Sequence, residues 1–109
     1  MAEATSQPQK EDILRERRNR KVHNHLEQYA PVWLVNEQVL LEADALQFEV
    51  VFLHPQYSWA RRRYFYDAFN DVLYHKGQVT LDEEATYELQ ATPPFIDAPV
   101  LNTVNSYGG

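Results

Sequence analysis

Residues 57–77, YSWARRRYFYDAFNDVLYHKG, constrain this chain most, because three consecutive arginines run directly into a series of aromatic side chains. Read as a strand, residues 59–67 put Arg61, Arg63, Phe65 and Asp67 on one face and Ala60, Arg62, Tyr64 and Tyr66 on the other. Neither set is a clean apolar face. Helical spacing does better: Phe65, Ala68, Phe69, Val72 and Leu73 fall at i, i+3, i+4, i+7 and i+8, with Tyr64, Asp67, Asn70, Asp71 and Tyr74 opposite them. Ser58 stands where an N-cap would, and Gly77 where a left-handed residue closing a helix would. The spacing predicts a helix over residues 59–76, its phenylalanines inward and its guanidinium groups crowded around its start.

Around that segment, 109 residues allow one domain. With the ends set aside, a body of about 75 residues lies in the range where a single core is marginally stable. The apolar fraction, 44% with 13% aromatic, is that of a chain with a real core. No cysteine is present, which removes disulfides, thiol nucleophiles and thiolate metal sites together. No apolar run approaches the length of a membrane span, and the first residues lack the apolar core of a signal peptide. A soluble, cytoplasmic protein is expected.

The net charge is −6, but it is segregated. Six of the ten cations lie in residues 10–21, three more are Arg61, Arg62 and Arg63, and the last is Lys76. Residues 1–10 read as a disordered tail and 11–29 as a basic helical arm, free of Gly and Pro, on which Val22, Leu26 and Tyr29 form a thin docking stripe. The first turns of the arm, Ile13 and Leu14 included, are expected to project into solvent. Residues 30–90 form the folded body. Within it residues 32–35 and 48–53 are rich in β-branched and aromatic side chains and read as strands, while 36–46 stay open between helix and strand. Thr80 to Glu83 fits a capping box ahead of a short helix. Residues 91–109 carry three prolines and read as an extended tail, whose Phe95, Ile96, Val100 and Leu101 strap back onto the body or dock elsewhere. The expected class is α+β: about three short antiparallel strands packed by the 59–76 helix.

Catalytic and metal chemistry find little support. His23, His25, His54 and His75 fit no ligand spacing, no serine sits in a nucleophile elbow, and three glycines build no phosphate loop. No cofactor, metal or membrane partner is expected. What remains is interaction. Three cations in the first turn of a helix oppose its macrodipole, at roughly 0.3–1 kcal/mol each, so an acidic partner or the chain's own acids must offset them. Arginines beside exposed aromatics also match interface hot spots. The candidate partner-binding set is Tyr57, Trp59, Arg61, Arg62, Arg63 and Tyr64 at the helix start, with Arg15, Arg17, Arg18, Arg20 and Lys21 on the arm. The leading expectation is a non-enzymatic adaptor, assembly or regulatory factor that binds a protein partner with an acidic surface. The alternative is a small RNA- or nucleotide-binding regulator using the same arginines.

Overall fold

The computed structural model describes residues 2–97, with side chains from residue 9 onward. A long helix, α1 (Ala2–Leu26), is followed by a single 3-10 turn at Glu27–Tyr29 and then by four strands: β1 (Val32–Leu40), β2 (Ala45–His54), β3 (Ser58–Asp67) and β4 (Val72–Thr80). A short helix, α2 (Glu83–Gln90), comes last. The strands form one antiparallel sheet in chain order, β1-β2-β3-β4. The class is α+β as expected, with four strands rather than three.

The expected helix over 59–76 is corrected: the segment is β3, a tight turn and most of β4. The two ten-residue strands β2 and β3 pair along their whole length, Ala45 opposite Asp67 and His54 opposite Ser58. Alternation then explains burial. Ala60, Tyr64 and Tyr66 are fully buried on the side facing α1, together with Leu46, Phe48, Val50 and Phe52 of β2. Burying each such large side chain contributes about 1.5–3 kcal/mol, far more than local helix preference offers. Of the residues read as a polar helical face, Asp67, Asn70 and Asp71 instead make the turn. Asp67 accepts from the Asn70 amide (3.1 Å) and from Asn70 Nδ2 (2.8 Å), and Asp71 takes a left-handed φ of 56°. Phe69, placed on the apolar stripe by periodicity, is 80% exposed in that turn. Ser58 caps no helix; it opens β3 at φ 64°. Gly77 lies inside β4 opposite Arg63, beside a bulge that leaves Lys76 without a partner in the register.

Two strand expectations stand and are extended: 32–35 belongs to β1 and 48–53 to β2, and the open segment 36–46 supplies the end of β1, a 3-10 turn and the start of β2. With three glycines in the chain, left-handed backbone falls to Asn36 and Asp44, residue types that tolerate it.

The first helix begins at Ala2, ahead of residue 11, and takes in residues expected to form a tail. Leu14, Arg18, Val22 and Leu26, each four apart, are buried along its sheet-facing side. Docking therefore extends a turn and more toward the N-terminus than the stripe at Val22 and Leu26 implied, while Ile13 stays 56% exposed. On the other face of the sheet, α2 is capped by Asp82, whose side chain accepts from the Ala85 amide at 2.9 Å, rather than by Thr80. Trp33 Nε1 donates to the Thr92 carbonyl at 3.0 Å and holds the segment after α2 there. The chain then returns to β1, where Val32 bridges Ile96 and Ile96 is buried. The tail expectation at Val100 and Leu101 lies outside the described residues.

Candidate functional site

Consecutive residues of a strand face opposite ways, so β3 separates the arginine triplet. Arg61 and Arg63 lie on the face away from α1, and both flank the Glu49 carboxylate across the β2–β3 pair, at 3.6 and 3.5 Å. Asn36 Nδ2 donates to the same carboxylate. The expected aromatic patch is divided too. Tyr57 belongs to the β2–β3 turn, its ring 4.7 Å from that of His54, and Trp59 packs beside Trp33, at 5.9 Å, on the far side of the sheet. Only Tyr64 shares a face with Arg62. A single crowded patch at a helix start does not exist.

The basic arm spends most of its charge on the body. Arg15 and Arg18 grip Glu37 of β1, at 2.8 and 2.6 Å. Lys10 meets Asp44, Lys21 meets Asp71, and Arg20 pairs along the helix with Glu16. Arg18 is 2% exposed, its guanidinium 4.9 Å from the centre of the Phe48 ring, with Nη1 buried without a hydrogen-bond partner. Burial lowers its pKa, against the Glu37 bond that raises it. Burial in turn pushes the Glu37 carboxyl up, but the bonds from Arg18 and Arg15 outweigh it and the net shift is downward. These arm residues hold the helix to the sheet.

Arg62 differs from all of them. It lies on the helix-facing side of β3, half-buried, with its guanidinium carbon 5.0, 5.6 and 5.9 Å from the rings of Phe52, Tyr29 and Tyr64. Nε donates to Gln78 Oε1 at 2.7 Å and Nη1 to the Tyr64 hydroxyl at 2.9 Å. Both partners are neutral. Among the described residues seven cations lie within ion-pair distance of a carboxylate: Lys10, Arg15, Arg18, Arg20, Lys21, Arg61 and Arg63. Of the others, Lys76 is exposed and Arg17 lies in the field of Asp71 beside Tyr66. Arg62 combines partial burial with hydrogen bonds to neutral partners; Arg17 is partly buried too and bonds Tyr66, but it has the Asp71 charge close by. The His25 ring stands 5.8 Å from that of Tyr64, as does the His75 ring. Burial lowers the His25 pKa, and the charges of Arg62 and His75 lower it further. Burial also raises the Tyr64 pKa, opposed by Arg62.

His25 in turn lines a groove between α1 and the end of the sheet. On one wall α1 presents Lys21, Asn24 and His25; on the other, the β3–β4 turn and β4 present Asp71, Val72 and Leu73. Arg17 and Arg20 line its continuation along the helix. Three aromatic neighbours and two hydrogen bonds hold the Arg62 fork in one orientation, with donors left over. A guanidinium fork fixed in this way has the geometry that matches a carboxylate or a phosphate oxygen. Sequence spacing groups Arg62 with its neighbours and so misses this; the signal is Gln78, which only strand pairing sets opposite it.

Among the described residues no three His, Asp or Glu side chains group as a metal site, and no helix is long and apolar enough to cross a membrane. Compared with protein-family models, curated proteins and solved structures, the chain matches none.

Proposed function

We propose that this chain is a small, non-enzymatic interaction protein that holds an acidic segment of a protein partner in the groove between α1 and β4, one carboxylate seated on Arg62. The observation that carries this reading is the state of Arg62: a half-buried cation, oriented by Gln78 and Tyr64, for which the described residues supply no carboxylate. Leaving a charge partly desolvated is unfavourable unless something compensates it. A bound anion does so. In this reading Arg62, with His25 and His75 near Tyr64, takes the place of a patch over residues 61–66. The net charge of −6 disfavours a polyanion such as RNA over a short acidic segment met at one basic groove. An acidic, cysteine-free chain of this kind fits a cytoplasmic setting.

Titration of the protein with a fluorescein-labelled Glu-rich peptide, followed by anisotropy, tests the reading. Binding is expected, weakened roughly tenfold or more in Arg62→Gln, the loss typical of a charged hydrogen-bonded contact, and unchanged in Arg63→Gln. Absence of peptide binding, or tighter binding of single-stranded RNA with a steep salt dependence, overturns it.

A further inference from the structure

Resting on the acidic-segment reading of the groove, we infer that the partner segment binds as a fifth strand on the outer edge of β4, with acidic side chains at every second position and apolar ones between. β4 is nine residues long and pairs on one side, with β3. Among the described residues its other edge has no strand partner, and such an edge is a template for an added strand. Its two faces differ in chemistry. Leu73, His75 and Gln78 point to the α1 side, in register with Tyr66, Tyr64 and Arg62, so a strand beside them sets alternate side chains on that side, next to Gln78, which holds Arg62, and facing the groove wall that carries His25 and Lys21. Val72, Tyr74 and Val79 point to the opposite side and are 37%, 46% and 48% exposed. Apolar side chains of the added strand extend that strip.

The charges on β4 also separate this occupant from a second copy of the chain. The edge carries the exposed Lys76 at its bulge and the exposed His75 next to it. Two β4 edges brought together crowd their Lys76 charges, the device by which proteins discourage self-pairing, whereas an acidic strand is attracted by Lys76.

Two octapeptides of identical composition test the inference, one alternating Glu and Val, the other with its Glu and Val residues in two blocks. The alternating peptide is expected to bind roughly tenfold tighter, because only it sorts charge and apolar surface to the two faces of a strand. On binding it should slow hydrogen exchange of the β4 amides, and Lys76→Glu, at an exposed site where folding is not at stake, should weaken it several-fold. Equal affinities for the two peptides, both lost in Arg62→Gln, sink the added strand and leave the Arg62 reading intact. Protection confined to α1 does the same. Failure of both peptides to bind sinks the underlying reading. Dimerisation of the protein that excludes the alternating peptide assigns the edge to a second copy and overturns the inference.

Discussion

Arg62 and Gln78 face each other directly across the β3–β4 pair, and Nε of the first donates to Oε1 of the second at 2.7 Å. Gln78 is a neutral acceptor, so it orients the guanidinium without cancelling its charge, and that charge stays beneath three aromatic rings. Nearby, Arg18 is also turned toward the sheet, but Glu37 answers it at 2.6 Å. One inward arginine is a closed pair and the other is open.

Replacing Arg62 with methionine therefore separates binding from folding. Removing a partly buried charge that lacks a counter-ion is expected to leave stability in the absence of partner unchanged or raised by up to about 1 kcal/mol, as for apolar replacement of buried ions. Acidic-peptide binding should be lost. Urea denaturation of Arg62→Met alongside wild type checks the sign, and a clear destabilisation would make Arg62 a structural residue.

Breaking the closed pair should do the opposite. Glu37→Gln leaves Arg18, 2% exposed, without its counter-charge, at a cost of about 3 kcal/mol. The Glu37 carboxyl is held below its ordinary value of 4.5, so the unfolded chain binds its proton first as pH falls. Its contribution is complete above 4.5 and is lost as pH drops through the lower folded value. The acid limb of the thermal-stability profile should flatten in Glu37→Gln.

The groove should respond to pH near neutrality. His25 is held below the ordinary 6.5 by burial and by the charges of Arg62 and His75, with Tyr64 facing it from the sheet. Free protein thus loses the His25 contribution to stability as pH falls below 6.5. A bound carboxylate favours the imidazolium, so peptide affinity is expected to rise over the same range. Anisotropy titrations across that interval should show the trend in wild type and a shallower one in His25→Gln.

Tyr66 supplies an alkaline test of the turn. Burial, reinforced by its bond to Asp71, raises its pKa from 10.0 to about 12. The folded chain keeps a proton that the unfolded chain releases, so this contribution is present below pH 10.0 and is lost as pH rises to about 12. Near-ultraviolet absorbance should show a late-titrating tyrosine that disappears in Tyr66→Phe.

Much of the architecture was legible in the residues: the α+β class, the strands at 32–35 and 48–53, a helix through Val22 and Leu26, and a short helix after Leu81. What misled was the same feature twice. On α1 the buried row is Leu14, Arg18, Val22 and Leu26; on β3 it is Ala60, Arg62, Tyr64 and Tyr66. In each an arginine occupies an inward position, so the apolar period is broken where the chain departs from ordinary packing rules. The β3 alternation then looked worse than a helical spacing that happened to collect Phe65, Phe69 and Val72. Departures of this kind belong to functional or paired sites.

From its residue order the chain determines its size, its segregated charge, the apolar content of its core and the local turn chemistry of Asp67, Asn70 and Asp71, since these follow from composition and short-range hydrogen bonding. Tertiary structure alone decided that Arg62 sits among neutral partners. Glu37 and Glu49 reach Arg18, Arg61 and Arg63 only through strand pairing and helix docking across many residues of chain, and the same packing brings Gln78 and Tyr64, but no carboxylate, to Arg62. Coulombic pairing depends on distance in space, which residue order does not contain.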